Sequence, residues 1–141
     1  MPCHDEKGCR LKYIQWVLRQ RKEIPIGEKE LEQFREGMEE GEAGLKSTRH
    51  FEKRSVYRAY AKSDILTVMK YGWVIERINR GGSISLLLMG FVRNGYQSYR
   101  PLHVLAAADE PLKWYVKTVY DPRSKPWKWD NHYQERICFC K

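Results

Sequence analysis

The chain has 141 residues, a length typical of one domain. Hydrophobic residues make up 42% of it, which is enough to form a core and excludes wholesale disorder. The longest apolar run, residues 84–92, is far shorter than the roughly 20 residues of a membrane-spanning helix. Residues 1–7 contain no apolar segment typical of a secretory signal, so we expect a cytoplasmic protein without contact to a membrane.

Positive charge is concentrated in the C-terminal part of the chain. The net charge is +8, yet residues 1–54 carry 12 basic and 11 acidic side chains, whereas residues 55–141 carry 14 and 7. The second part also contains most of the Trp and Tyr residues. Cationic side chains displace the counterions of a phosphate backbone and aromatic rings stack on bases, so this composition favours a nucleic-acid partner. A basic surface without that role is the alternative.

The first 46 residues predict two helices separated by a break. Residues 10–22 place four apolar residues on one helical face: Tyr13, Ile14, Val17 and Leu18. Residues 24–27, Ile-Pro-Ile-Gly, predict the break. Residues 28–46 then show an apolar stripe at helical spacing: Leu31, Phe34, Met38 and Leu45. Such a stripe usually packs on its own domain, and a partner-binding helix is the alternative.

Two further helical segments precede a change of pattern at residue 73. The first is predicted to start at residues 47–48. It carries three cationic or titratable side chains: His50, Arg54 and Arg58. The second, residues 64–71, is predicted to end at Gly72, because glycine suits the position after a helix C-terminus.

Strands dominate the remainder of the chain. The predicted strands are residues 73–78, 84–92, 102–107 and 114–120, with turns at residues 80–82 and 94–95. N-terminal helices followed by strands with short turns predict the α+β class with a roughly four-stranded antiparallel sheet. Residues 122–129, which include two prolines, predict an extended or looped segment that lies over this sheet.

All four cysteines lie near the chain ends. Cys3 and Cys9 flank His4, while Cys138 and Cys140 stand close to the C-terminus. Neither pair has the two-residue spacing of a zinc knuckle, so we expect reduced thiols and no metal or other cofactor. The alternative is a composite metal site that joins the two ends and is formed by these five residues.

Several common catalytic motifs are absent from the sequence. Residues 80–83, Arg-Gly-Gly-Ser, lack the lysine and the spacing of a P-loop, and neither a His-Glu-x-x-His motif nor a nucleophile elbow occurs. Carboxylates are scarce among the predicted strands, which argues against glycosidase chemistry and two-metal phosphoryl transfer. Histidines, arginines and tyrosines on a basic scaffold remain as candidates.

Four segments resemble the family called domain of unknown function 4258. They are His-Phe-Glu-Lys-Arg at 50–54, Ser-Leu-Leu-Leu-Met-Gly-Phe-Val at 85–92, Arg-Pro-Leu-His-Val-Leu at 100–105 and Val-Lys-Thr-Val-Tyr-Asp-Pro at 116–122. The resemblance covers about residues 48–137. It says nothing about residues 1–47, which we expect to be an added helical extension. It implies a domain of the barnase–EndoU–colicin–RelE (BECR) kind with a basic tail, residues 48–141.

This family is grouped with small ribonuclease toxins. The resemblance therefore implies a toxin-like endoribonuclease that needs no metal and cleaves RNA through a 2′,3′-cyclic phosphate. It also implies RNA, free or on the ribosome, as the partner. The acidic, striped helix of residues 28–46 favours an antitoxin or another protein as a partner bound through the helical extension. A non-catalytic module of the same fold that binds nucleic acid or protein is the alternative.

By the same resemblance, the expected catalytic residues are His50, Arg54, Arg100, His103 and Tyr120. His103 is the expected base or acid, with His50 as the alternate base, because histidine titrates near neutral pH. Arg54 and Arg100 would hold the phosphate, and Tyr120 would protonate the leaving oxygen.

Other basic and aromatic side chains are expected to bind the nucleic acid: Arg58, Arg93, Lys117, Lys125, Trp127, Lys128 and Trp129. Structural alternatives stay open for all of these residues. The arginines can form a solvated face, the tryptophans can pack in a core, and Tyr120 can cap a strand end. His103 faces the side opposite to Leu102 and Val104, so it is a core histidine if that side is buried.

Overall fold

The computed structural model describes residues 3–46 and 62–140. In these ranges, helix α1 (Glu6–Glu39) is followed by strand β1 (Gly44–Lys46) and helix α2 (Lys62–Tyr71). Four strands follow: β2 (Trp73–Arg80), β3 (Ser83–Arg93), β4 (Tyr99–Ala107) and β5 (Lys113–Tyr120). Two 3₁₀ turns, Pro122–Ser124 and Pro126–Lys128, begin the C-terminal segment, the name used below for residues 121–140.

The predicted α+β class is confirmed, and so are the four consecutive antiparallel strands. The sheet has the order β1-β5-β4-β3-β2, in which β2 to β5 each pair antiparallel with the next. Strand β1 pairs in parallel with β5 and was not predicted, so the sheet is mixed. The predicted helix of residues 28–46 ends early, at Glu39, because Gly41 adopts a φ of 76° and the chain turns towards β5.

Helix α1 continues through Pro25, where the sequence predicts a break. Contacts with the sheet hold the helix on both sides of this proline. Before it, the Gln20 amide bonds the backbone N–H and C=O of Arg77 at 2.8 and 3.0 Å. After it, the Glu28 carboxylate accepts the N–H of Val74 at 2.8 Å. These tertiary contacts offset the cost of a helix-interior proline, which is about 3 kcal/mol.

Helix α1 also covers the edge of the sheet. Strand β2 is an edge strand, and its Arg77 forms ion pairs with Glu23 and Glu30 of the helix, each at 2.6 Å. Unpaired backbone groups on an edge strand invite pairing with other chains. The helix therefore satisfies and shields this edge.

Each face of the sheet has its own buried layer. The larger core lies between the sheet and the helices, and in it the Phe34 ring stacks on Trp114 with centroids 4.2 Å apart. Leu31 is buried in the same core, which confirms that the stripe of residues 28–46 packs within the protein. On the opposite face, a smaller cluster lies under the C-terminal segment and comprises Ile75, Leu87, Met89 and Trp129.

The N-terminal half of α1 keeps an exposed apolar stripe. Leu11, Ile14 and Leu18 are exposed, whereas Tyr13 and Val17 are half-buried. The face predicted from the sequence is therefore divided between solvent and protein.

Among the described residues, no helix combines the length and the apolar character that crossing a membrane requires.

Two sequence predictions lie outside the described residues. They are the helix that contains His50, Arg54 and Arg58, and the domain boundary at residue 47. On the described side of that boundary, α1 contributes to the same core as the sheet.

Gly72 connects α2 to β2 at a point where no side chain fits. The predicted helix end at this glycine is confirmed. A Cβ atom there would lie 2.4 Å from the carbonyl oxygen of Met89 and 2.6 Å from that of Val68. Arg35 of α1 donates to the Gly72 carbonyl at 2.6 Å and further fixes the junction.

We predict that Gly72→Ala lowers the free energy of unfolding by about 2 kcal/mol or more, because backbone atoms must move to accept the methyl group. Gly44→Ala is the matched control, since its added Cβ meets no atom within 4 Å. We expect the control to change stability by about 0.5 kcal/mol at most. Urea unfolding measures both, and equal effects would contradict the packing at Gly72.

Candidate functional site

The C-terminal segment folds back over the sheet face that the helices leave open, as predicted for residues 122–129. Trp129 is 4% exposed and packs in the smaller cluster. Its backbone forms an isolated antiparallel bridge with Arg136. The segment therefore forms one wall of a cleft whose floor is the sheet.

This cleft has a volume of about 380 Å³, within the range of small-molecule sites. The sheet contributes Glu76 and Tyr120 to its lining. The C-terminal segment contributes the other polar residues: Ser124, Lys125, Lys128 and Arg136. Three cationic residues thus line the same cleft as one tyrosine and one glutamate.

Glu76 reaches the cleft because of a β-bulge in β2. Val74 pairs with Leu88, and Glu76 pairs with the adjacent Leu87, so Ile75 is an extra residue on this strand. Side chains of a regular strand alternate between faces, and an extra residue interrupts the alternation. The bulge therefore directs Ile75 and Glu76 to the same face.

Arg136 is the partner of the buried Glu76, which is 1% exposed. Nε and Nη2 of the arginine donate to the two carboxylate oxygens at 3.0 Å each, and its guanidinium lies 4.6 Å from the Trp129 ring centroid. Burial lowers the pKa of Arg136, but the hydrogen bonds and the charge of Glu76 raise it above its usual value overall. Both members of the pair are therefore charged, and the pair anchors the C-terminal segment to the sheet.

His103, the expected base or acid, is wholly buried behind the cleft. Its Nε2 lies 2.8 Å from the carbonyl oxygen of Tyr133, and its Nδ1 lies 3.2 Å from the hydroxyl of Tyr120. A carbonyl oxygen only accepts, so Nε2 carries the hydrogen and Nδ1 accepts from Tyr120. Burial lowers the pKa of His103 to about 4, and the bond to Tyr133 offsets part of this effect.

The position of His103 corresponds to the alternative that the strand pattern left open, a buried histidine with both nitrogens bonded. Leu102 and Val104 lie in the larger core, while the His103 ring packs edge-on against Trp129 at 4.5 Å. A neutral, covered ring does not meet a substrate directly. In this arrangement the ring holds the Tyr120 hydroxyl in place through a hydrogen bond.

Of the expected catalytic residues that the structure describes, Tyr120 is the one that lines the cleft. Burial raises the pKa of Tyr120 well above its usual value, while the charge of Arg136 acts in the opposite direction. The phenol is therefore protonated at neutral pH and is a hydrogen-bond donor beside the cationic wall.

Arg100, expected to hold a phosphate, interacts with Asp121 and is not part of the cleft lining. Burial raises the pKa of Asp121, but hydrogen bonds from Arg123 and the charges of Arg123 and Arg100 outweigh it and bring the pKa below its usual value. Among the described residues, Arg136 is the arginine that lines the cleft. His50 and Arg54 lie outside the described residues.

Three of the residues expected to bind nucleic acid line the cleft: Lys125, Lys128 and Trp129. Lys125 is exposed and Lys128 half-buried, so both can reach a ligand. Trp129 is buried and covered on one face by Arg136, which makes it a packing residue in this arrangement.

The other expected nucleic-acid contacts lie elsewhere. Arg93 is exposed at the end of β3, and Lys117 donates to Ser85 at 3.2 Å. Trp127 borders a separate pocket beside the cysteines. Arg58 is outside the described residues.

Sequence reasoning missed Glu76 and Arg136. Glu76 lies within a predicted strand, and only the bulge brings it to this face. Arg136 lies beyond the last predicted strand, in a segment without regular periodicity. A single acidic residue in a mostly apolar strand indicates a cationic partner, because a buried charge is costly unless it is paired. The sequence does not indicate which residue that partner is.

The four cysteines converge where α1 begins and the C-terminal segment ends. Their sulfur atoms all lie within 4.8 Å of one another. His4 is exposed and does not belong to this group. The composite site that the sequence offered as an alternative is therefore matched in geometry by the cysteines alone.

A larger groove, of about 510 Å³, separates α1 from the C-terminal segment. Its polar lining mixes acidic and basic side chains, among them Arg21, Asp130 and Glu135. Neither Tyr120 nor the lysines of the smaller cleft contribute to it. The smaller cleft is therefore the better candidate for chemistry on an anionic ligand.

Comparisons with known proteins do not place the chain in a family. No family model matches it, and no curated protein or solved structure matches it either. The resemblance to the domain of unknown function 4258 therefore stays a prediction, and the function has to be argued from the cleft.

We predict that His103 makes the protein less stable in mild acid. Below about pH 6.5 the unfolded chain binds a proton that the folded protein takes up only near pH 4, so stability falls through this interval and then levels off. The expected loss is about 3 kcal/mol. Urea unfolding of the wild type and of His103→Gln between pH 7 and pH 4 gives the difference in slope.

The exposed His132 provides the control for this measurement. His132→Gln should keep the steep pH dependence of the wild type, because this variant retains the buried His103. If His103→Gln showed the same pH dependence as the wild type, the buried neutral ring would be refuted.

Proposed function

We propose that this protein is a metal-independent endoribonuclease that binds RNA in the cleft beneath its C-terminal segment. The observation that carries the proposal is that Lys125, Lys128, Arg136 and Tyr120 all line the same cleft. The α+β order and the antiparallel strands β2 to β5 are compatible with the predicted BECR-like fold.

The charges of the cleft favour a phosphate ligand. Lysine ammonium groups bind phosphate as point charges, and arginine offers a fork of donors. Lys125 and Lys128 form an accessible cationic rim, whereas Arg136 lies deeper and is held by Glu76. An RNA backbone that follows the rim would bring one phosphodiester next to Tyr120.

The carboxylates of the cleft favour chemistry without a metal ion. Among the described residues that line it, Glu76 is the one carboxylate, and Arg136 binds both of its oxygens. Two-metal phosphoryl transfer needs several carboxylates free to hold the ions. Cleavage by the 2′-hydroxyl of the RNA itself needs only a base, a cation and an acid.

In this reaction the 2′-oxygen bonds to phosphorus, the bond from phosphorus to the 5′-oxygen breaks, and a 2′,3′-cyclic phosphate remains. We assign the acid to Tyr120, whose hydroxyl hydrogen turns from His103 to the leaving 5′-oxygen. Such a proton transfer contributes on the order of 10²–10⁴-fold. His50 stays the predicted base for the 2′-hydroxyl proton, and it lies outside the described residues.

His103 acts as a positioning residue in this mechanism. Its neutral Nδ1 accepts a hydrogen bond from the Tyr120 hydroxyl in the resting protein, and this bond holds the phenol oxygen beside the cleft. Arg136 lowers the energy of the tyrosinate that forms when the proton leaves, because its charge favours the deprotonated phenol.

We predict that Tyr120→Phe lowers the rate of RNA cleavage about 10²–10⁴-fold, since the phenyl ring keeps the packing but removes the proton donor. The wild type and the variant are incubated with total RNA without divalent cations, and EDTA is added together with the RNA. The new ends are then identified chemically. Wild-type products should carry 2′,3′-cyclic phosphates.

Tyr99→Phe is the matched control, because Tyr99 is 60% exposed at the start of β4 and does not line the cleft. Its cleavage rate should equal that of the wild type. Equal rates for all three proteins would remove Tyr120 from the mechanism, and RNA left intact by the wild type would refute the nuclease.

A non-catalytic RNA-binding protein is the second candidate. The engagement of both His103 nitrogens and of both Glu76 oxygens favours it, because these groups already have partners inside the protein. In that case the rim lysines would bind RNA and no strand would be cut.

The rim lysines provide a prediction that both candidates share. Replacing Lys125 and Lys128 with Ala should weaken RNA binding and reduce the slope of log affinity against log salt by about 1.4 for single-stranded RNA. The control replaces two exposed lysines outside the cleft, Lys70 and Lys113. Fluorescence anisotropy at several salt concentrations measures the slopes, and equal slopes would exclude the rim as the binding surface.

The proposed substrate also bears on location and partners. An endoribonuclease of this kind acts where RNA is present, so we propose the cytoplasm as its location. An antitoxin or another protein that binds residues 1–47 stays a prediction from the sequence. A ribosome-bound form of the substrate stays a prediction as well.

A further inference from the structure

The four cysteines form a cluster that the proposed reaction does not use. Cys3 precedes α1 and Cys9 lies in its first turns, while Cys138 and Cys140 come from the end of the C-terminal segment. Cys9 and Cys138 are buried, and the chain contains no other cysteine. Residues more than 125 positions apart in the sequence thus meet at one point.

The distances between the sulfur atoms fit one tetrahedral metal ion. The Sγ atom of Cys140 lies 3.7 Å from those of Cys3 and Cys9. Four sulfur ligands at about 2.3 Å from a tetrahedral zinc ion are about 3.8 Å from one another. Bonded sulfurs would be only about 2.05 Å apart, and all four thiols are free.

A backbone N–H group donates a hydrogen bond to one of the four sulfurs. The N–H of Phe139 donates to the Sγ atom of Cys9 at 3.2 Å. Hydrogen bonds of this kind stabilise the thiolate form that binds metal and orient it as a ligand. The Phe139 ring packs against Trp16 with centroids 5.7 Å apart, so an aromatic pair from α1 and the C-terminal segment lies beside the sulfurs.

We propose that Cys3, Cys9, Cys138 and Cys140 bind one structural zinc ion. Four thiolates are a soft ligand set of the type that holds zinc in structural sites, and four protein ligands leave no position for a substrate or an activated water. The inference rests only on the cysteines and their surroundings, so it does not depend on the RNA cleavage proposed above.

The ion would fasten the C-terminal segment to the start of α1. Two protein contacts already join these elements near the cluster, namely the Tyr13 hydroxyl, which donates to the Glu135 carboxylate, and the Trp16–Phe139 pair. Arg136 lies in the same C-terminal segment, two residues before Cys138, and forms the ion pair with Glu76 in the cleft. Zinc therefore stabilises the wall of the cleft without taking part in its chemistry.

The first test is the metal content of the full-length protein, purified under reducing conditions and reconstituted with zinc alone. Mass spectrometry of the native protein and elemental analysis should both give one zinc ion per chain. Reconstitution with Co²⁺ should give the intense visible absorption of tetrahedral cobalt and thiolate-to-metal charge transfer. His4→Ala should behave as the wild type, because His4 is not part of the cluster.

The second test uses variants and a chelator. Cys138→Ser should lose stoichiometric zinc and the cobalt spectrum. Because this variant can also fold poorly, the wild type and His4→Ala are incubated for long periods with a chelator, which should lower the midpoint of their thermal unfolding. A variant with all four cysteines changed to Ser should have a midpoint that the chelator does not move.

Three results would overturn the zinc site. They are the absence of bound metal in the reduced protein with zinc present, two disulfide bonds in the metal-free protein as isolated, and iron retained in place of zinc. A zinc-loaded protein that leaves RNA intact would refute the nuclease and leave the metal site standing.

Discussion

A carboxylate buried on the face of a sheet needs a cationic partner, and the pairing of Glu76 with Arg136 determines where the C-terminal segment lies. Removing one member of such a buried pair typically costs about 3–5 kcal/mol, because the other charge is left unpaired. The pair is possible only because the bulge at Ile75 directs Glu76 away from the helices. Once Arg136 is held, Trp129 covers the smaller cluster and the Tyr133 carbonyl meets His103. The cleft and its lysine rim follow from this one interaction.

Helix α1 provides the second support of the fold, because it binds the edge strand β2 at several residues. Gln20 and Glu28 bind the backbone of β2, and Arg77 of that strand is paired with two glutamates of the helix. The start of the same helix carries Cys3 and Cys9 to the sulfur cluster. The helix thus links the edge strand, the larger core and the sulfur cluster.

The surroundings of His103 do not fit a simple assignment of this histidine as a base that meets the substrate. His103 has no exposed atom and both of its nitrogens are bonded, which makes it a support for Tyr120. The cation next to Tyr120 is Arg136, an arginine that the protein has already paired. In the proposed reaction, Tyr120 held by a neutral histidine and flanked by a fixed arginine would be a preorganised acid, because little has to move when charge develops. Lys125 is exposed and Lys128 is half-buried, so both are accessible to the phosphates of the proposed RNA ligand.

The α+β class, strands β2 to β5, the helix end at Gly72 and the turn in which Gly81 and Gly82 adopt positive φ could all be predicted from the sequence. These features depend on local patterns: alternation along a strand, apolar spacing along a helix, and the freedom of glycine. Four other features depend on contacts between distant residues and became visible in the folded protein: the continuity of α1 through Pro25, the parallel strand β1, the surroundings of His103 and the meeting of the four cysteines. Alternation shows which face a side chain takes, but contacts between distant residues decide whether that face is covered, where a bulge interrupts it, and which chain ends come together.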